Sequence, residues 1–183
     1  MLTEIRKIEQ IDENEKQKIM LSLSQSAKER LLRKKNEKLH LSSLCALAIL
    51  TEEQRADLEY AESGMPYFKT LNMDISISHS ASFVAVVISD SKECRVGIDI
   101  EELSSIDGLH ERFFTENERL AHENGTSLAE IWTKKEALFK FLKSDSTPFI
   151  HLDSTTPEKY GAYFSTVTKP EYTLTLCTPI ISK

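Results

Sequence analysis

The chain has 183 residues, of which 40 % are hydrophobic and 28 % charged, with a formal net charge of −6. Those proportions are ordinary for a protein with a packed core, and the acidic balance argues against a general nucleic-acid binder. The longest apolar candidate, residues 44–50, falls well short of the roughly 18 residues a membrane span needs. Residues 1–11 alternate charged and aliphatic side chains without the apolar block of a secretory leader. Cys45, Cys94 and Cys177 are scattered and lack metal-ligand spacing. A reduced, cytoplasmic setting is therefore the expectation.

Taken in chain order, Ser26-x-x-Glu29 predicts a capping box that opens a basic helix over about 27–35. Asn36 is placed to cap a second helix, in which Leu41, Leu44, Cys45 and Ala48 recur at i, i+3, i+4 and i+7. Ser63-Gly64-Met65-Pro66 is a turn signal. Residues 73–78 and 83–89 predict two strands, and residues 95–101 a third with Val96, Ile98 and Ile100 on one face. Thr115-x-x-Glu118 and Ser127-x-x-Glu130 each predict a capping box, opening helices of about ten and about sixteen residues. Beyond Lys143, segments 149–152, 160–168 and 172–178 carry the β-branched and aromatic residues that favour strands. The class is α+β, with a boundary near Ser91 that separates an N-terminal half, 1–91, from a C-terminal half, 92–183.

Three segments carry chemistry. In a strand over Val96-Gly97-Ile98-Asp99-Ile100-Glu101, Asp99 and Glu101 share a face with Cα atoms roughly 7 Å apart, and Gly97 on that face leaves room for something bulky. Two converging carboxylates suit Mg²⁺ beside phosphate oxygens. An edge strand with one solvated polar face fits the same pattern. Trp132, Glu136 and Lys140 fall on one helical stripe, where Glu136 and Lys140 also make an ordinary i,i+4 ion pair. Ser76-Ile77-Ser78-His79-Ser80 ends a strand with hydroxyls and an imidazole able to meet a phosphate; a structural histidine is the bland alternative. A Ser-His-Asp hydrolase is rejected, because no G-x-S-x-G elbow exists.

The ordered succession Ser63-Gly64-Met65-Pro66-Tyr67, Ser76-Ile77-Ser78-His79-Ser80, Gly97-Ile98-Asp99-Ile100-Glu101, Phe113-Phe114-Thr115-Glu116-Asn117-Glu118 and Trp132-Thr133-Lys134-Lys135-Glu136-Ala137 resembles the 4'-phosphopantetheinyl transferase superfamily. The monomeric surfactin-synthetase-activating type is the nearest match. That family's pattern is G-K-P, S-x-S-H-S, G-I-D-x-E, F-F-x-x-x-E and W-x-x-K-E-A with a lysine four residues past the glutamate. The resemblance runs from about Gly64 to Lys140.

The resemblance implies two pseudo-symmetric halves, each with a small antiparallel sheet and packed helices, and an active site between them. It implies a monomer that moves phosphopantetheine from coenzyme A to a serine of an apo acyl or peptidyl carrier protein, as in fatty acid biosynthesis, with no nucleic acid or membrane partner. By motif position, Asp99, Glu101 and Glu136 would hold Mg²⁺, with Mn²⁺ an alternative. Lys140 would stabilise the departing 3',5'-ADP. Lys135, Ser78 and His79 would bind coenzyme A, and Gly64 and Pro66 would border the adenine. Three positions depart from the pattern. Met65 replaces the lysine, the second helix has no arginine for the 3'-phosphate, and Lys143-Ser144-Asp145-Ser146-Thr147 replaces a glycine-containing stretch. Lys28 and Lys34, with Arg30, Arg33, Lys35 and Lys38, are placed to compensate for the missing arginine. A solvated helix face, or a surface that steers an acidic carrier, would use the same charges. A family member that binds without transferring and an unrelated Mg²⁺-dependent phosphohydrolase are the competing readings.

Overall fold

The computed structural model describes residues 1–9, 11–103, 106, 108–143 and 147–180. The chain begins with β1 (Leu2–Lys7) and four helices: α1 (Glu13–Ser22), α2 (Gln25–Leu32), α3 (Glu37–Ile49) and α4 (Glu52–Asp57). A short hairpin, β2 (Leu58–Tyr60) and β3 (Pro66–Phe68), precedes β4 (Ile75–His79) and β5 (Phe83–Ile88). The second cycle runs through β6 (Gly97–Glu102), a 3₁₀ segment (Gly108–Phe113), α5 (Glu116–Glu123) and α6 (Leu128–Leu142). It closes with 3₁₀ turns at Phe149–His151 and Pro157–Tyr160, then β7 (Ala162–Thr168) and β8 (Tyr172–Pro179). Residues 144–146 of the stretch beginning at Lys143 lie outside the described residues.

Two three-stranded antiparallel sheets result, ordered β1-β5-β4 and β6-β8-β7. Each has the same plan. The chain lays down one strand, departs through helices, and returns as a hairpin whose second strand docks on the first. This repetition carries the α+β, pseudo-symmetric class expected from the sequence.

β5 is buried along its whole length, which explains its continuous apolar sequence. Val84, Val86 and Ile88 face a core formed with Ile19, Leu31, Leu44, Leu47 and Phe68. The alternate residues Phe83, Ala85 and Val87 pack against Val96, Ile98, Ile100 and Leu174 of the second cycle. One strand thus serves two cores. A third cluster joins Ala137, Leu138 and Phe141 of α6 to Leu152, Ala162 and Cys177.

The helix starts follow side-chain caps, with one correction to the sequence reading. Ser24, not Ser26, caps α2: its Oγ accepts from Ala27 N (3.1 Å) and donates to Leu58 O (2.5 Å). That tertiary bond fixes the start, and Glu29 instead accepts from Gln25 Nε2 (2.8 Å). The helix also stops at Leu32, short of Lys35. Asn36 caps α3 as expected, and Thr115 and Glu118 form a complete capping box on α5. Ser127 caps α6, but the Glu130 carboxylate turns to Lys134 (2.6 Å), so only half of the predicted box forms. The strand expected over 149–152 is a 3₁₀ turn behind Pro148. Its Phe149 ring packs among Phe113, Trp132 and Phe139, so aromatic packing rather than strand pairing uses that side chain.

Candidate active site

The two sheets meet where β4 and β6 run side by side, and the contact is made by side chains. Asp74, Ser76 and Ser78 lie at alternate positions and so share a face. Val96 N donates to Asp74 Oδ2 (2.9 Å), Ile98 N to Ser76 Oγ (3.1 Å) and Ile100 N to Ser78 Oγ (3.4 Å). These amides face away from β8. The ladder therefore satisfies donors that would otherwise be buried without partners, each worth about 1–3 kcal/mol to leave unmade. β6 is the edge strand of its own sheet, but its carboxylate face is not simply solvated, because Asp99 is buried.

This junction positions the carboxylate and lysine picked from the sequence. Asp99, 2 % exposed, accepts from Ser78 Oγ (2.6 Å) and Lys140 Nζ (2.6 Å) through one oxygen. Its second oxygen is buried with no hydrogen-bond partner among the described residues. Lys140 Nζ also donates to Ser78 Oγ (3.1 Å) and Ile98 O (3.2 Å), and stands 4.0 Å from Glu136 Oε2. Burial raises the Glu136 carboxyl above its ordinary value; Lys140 opposes that rise and Asp99 adds to it. Glu101 follows on the same face of β6, half-buried. Gly97 leaves room for something bulky, as the sequence suggests, and the occupant is a helix. A Cβ there would lie 2.0 Å from Ala137 O and 2.7 Å from Phe141 N, so glycine admits the backbone of α6 itself.

A cationic cavity of about 140 Å³ lies against the β2–β3 turn, walled by Arg30, Lys34, Ser43, Tyr60, Gly64 and His79, with Pro66 also at its edge. Arg30 donates to Gly64 O (3.3 Å) and lies over the Tyr60 ring, 4.5 Å from its centroid. Lys34 Nζ donates to Ser43 Oγ (2.5 Å), and its pKa is lowered by burial and then by Arg30. His79, at the rim, is also held low, first by desolvation and then by Lys34 and Lys140, with Asp99 opposing. Both groups are held low first by burial and then by neighbouring cations, so an anion bound here would relieve both. A second cavity of about 200 Å³ shares Gly64, Pro66 and Ile77 with the first and reaches Met65, Glu136 and Lys140.

Two residues singled out from the sequence are not brought here. Lys135 is fully buried elsewhere, paired with Glu118 Oε2 (2.8 Å), donating to Leu152 O and lying over Phe149. Adjacent helical residues point about 100° apart, so Lys135 and Glu136 serve different faces of α6. Lys28 is off the stripe Ala27, Arg30, Leu31 and Lys34 that lines the cavity. The sequence reading passed over Asp74 and Tyr60 altogether. Asp74 had one signal: it extends the alternating Ser76, Ser78 pattern by one step.

Among the described residues, no three His, Cys, Asp or Glu side chains are already gathered as a metal site. The donor set nonetheless fits a hard divalent cation: a buried unpartnered oxygen on Asp99, and a neighbouring carboxyl on Glu136 that burial and Asp99 disfavour as an anion.

The matching family model, described as the 4'-phosphopantetheinyl transferase superfamily, covers residues 95–178, the span that holds β6, α6 and the closing hairpin. Over those residues the chain is similar to that superfamily. Among its relatives are the 4'-phosphopantetheinyl transferases AcpT of Salmonella typhimurium and Salmonella typhi, each 28 % identical over 134 residues and matched over 67 % of both chains. No helix among the described residues is long and apolar enough to cross a membrane.

Proposed function

We propose that this protein transfers the 4'-phosphopantetheine group of coenzyme A to a serine of an apo acyl or peptidyl carrier protein, with Mg²⁺, releasing 3',5'-ADP. The observation that carries the reading is adjacency. The cavity walled by Arg30, Lys34 and His79 and the cavity reached by Glu136 and Lys140 share Gly64 and Pro66 in their walls. A ligand with phosphates at both ends of a nucleoside suits that spacing. Its 3'-phosphate would meet Lys34, Arg30 and His79, with Gly64 and Pro66 bordering the adenine. Arg30 and Lys34 thus take the role left open by the arginine-free α3.

Asp99, Glu101 and Glu136 would hold Mg²⁺, or Mn²⁺, whose chemistry there is to offset pyrophosphate charge. Lys140 would stabilise the charge that develops on the departing phosphate. Glu136, or water held at the metal site, would take the proton of the attacking serine in a direct, in-line transfer. We place the boundary between halves near Ser91 and read the protein as a cytoplasmic monomer of the surfactin-synthetase-activating type, because a single chain supplies both sides of the cleft. The exposed Arg33, Lys35 and Lys38 offer an acidic carrier a basic approach.

The test is incubation with coenzyme A, Mg²⁺ and apo-acyl carrier protein, followed by weighing the carrier. A gain of one phosphopantetheine that Asp99→Ala abolishes supports the reading. Coenzyme A binding without any gain, across several carriers, would replace transfer with binding alone. Phosphate or phosphopantetheine released without carrier would indicate a hydrolase.

A further inference from the structure

The ladder at the β4–β6 junction ends in two lysines from one helical turn. At one end Lys140 meets Ser78 and Asp99; at the other, Lys143 Nζ donates to Asp74 Oδ1 and to Ile75 O (3.2 Å). Asp74, 8 % exposed, also accepts from Val96 N (2.9 Å) while its own N–H donates to Ser89 Oγ (2.9 Å). Its carboxylate therefore ties the start of β6 to the end of α6.

Lys143 is the C-terminal cap of α6 and has φ 47°, the one non-glycine residue with positive φ among the described residues. Glycine or asparagine ordinarily takes that conformation, because a Cβ is disfavoured there. A long cation held in it, with its ammonium carried back to a buried carboxylate, is a local conflict that the surrounding contacts resolve.

We infer that Asp74 and Lys143 form a positioning clamp that fixes the last turn of α6 and so holds Lys140 on Asp99. Lys140 must meet three acceptors at once, and it lies one turn before the cap. Fraying or rotation of that turn would carry the ammonium away from Asp99. Lys143 also lines the cavity that Glu136 and Lys140 reach, but its ammonium is engaged by Asp74, so it acts through Lys140 rather than on the ligand. The kinetic part of this inference rests on the transfer reading above; its structural part does not.

Three variants test it: Lys143→Gly, which suits the left-handed cap but removes the pair; Lys143→Arg, which keeps the charge; and Asp74→Asn. With coenzyme A and apo-carrier, Lys143→Gly is expected to lower kcat about tenfold, in keeping with small misplacements of a catalytic group. KM for coenzyme A should change less than about twofold if Lys143 makes no ground-state contact, and Lys143→Arg should recover most of the rate. Melting curves exclude loss of folded protein as the cause. Hydrogen exchange at the amides of Phe141, Leu142 and Lys143 should quicken about tenfold in Lys143→Gly and Asp74→Asn, as local opening becomes easier. An unchanged kcat in Lys143→Gly overturns the clamp, and so does a raised KM at constant kcat, which would make Lys143 a direct ligand contact. If the unaltered protein transfers nothing, the transfer reading fails, and exchange alone then decides: unchanged protection of the last turn overturns the clamp.

Discussion

Lys134 and Lys135 are chemically identical neighbours on α6 with opposite surroundings, and replacing each by methionine separates burial from charge. Lys134 pairs with Glu130 at 2.6 Å, but both side chains keep a quarter to a third of their exposure. Exposed i,i+4 pairs are worth about 0.3–0.5 kcal/mol, so Lys134→Met should cost no more than that. The Lys135 and Glu118 side chains are both 0 % exposed. Removing Lys135 leaves a carboxylate buried without its counter-charge, a change that typically costs about 3–5 kcal/mol. Glu118 keeps two backbone donors, Thr115 N (2.8 Å) and Ser154 N (2.9 Å), which argues for the lower end, about 3 kcal/mol. For a chain of this size that corresponds to a melting point lower by about 6–12 °C. Urea unfolding of both variants, followed by circular dichroism, measures the difference. Coenzyme A affinity of folded Lys135→Met should match the parent. If Lys135→Met were as stable as Lys134→Met but bound coenzyme A weakly, the buried placement of Lys135 and the reasoning above would both be refuted.

Other expectations follow from the cleft. Because the folded-state pKa of Glu136 lies above its ordinary 4.5, the native protein retains that proton in the window between the two values. Its contribution to stability therefore falls as pH rises through the window, and the penalty is complete above it. Glu136→Gln should accordingly unfold at higher urea than the parent at pH 7, with the difference vanishing below about pH 4, while transfer is lost. His79 should titrate below 6.5 in the free protein and move upward when coenzyme A binds, but less with dephospho-coenzyme A; NMR of the imidazole carbon-bound protons reports both. Gly97→Ala should destabilise by about 3 kcal/mol or prevent folding, because the new methyl meets helix backbone that cannot yield as a flexible side chain would. Thermal unfolding and soluble yield check it.

Much of the cleft was legible because short-range rules govern it. Strand alternation put Asp99 and Glu101 on one face, helical spacing put Glu136 and Lys140 on one stripe, and the ordered motifs linked both to Ser78 and His79. What escaped was set by partners distant in sequence. Ser24 wins over Ser26 because Leu58 O, 34 residues on, takes its hydroxyl. Lys135 looked like a ligand residue until Glu118, 17 residues back, proved to hold it. Gly97 was read as room for something bulky, but nothing local said that the occupant would be α6. Residues 149–152 had strand composition, yet Phe149 is spent on an aromatic cluster. β1, α1 and the β2–β3 hairpin were passed over because they are short or weakly patterned, and packing alone specifies them.

The ladder between β4 and β6 also makes the two parts of the chain unequal when separated. A fragment ending before β6 would expose the Phe83, Ala85 and Val87 face of β5, but at the junction itself only hydroxyls and a carboxylate, groups that water satisfies readily. A fragment beginning at β6 would expose the amides of Val96, Ile98 and Ile100 along an open strand, flanked by apolar side chains made to be covered. Such an edge invites another strand. During synthesis, the N-terminal sheet emerges first, and its three acceptors are already in place when that edge leaves the ribosome.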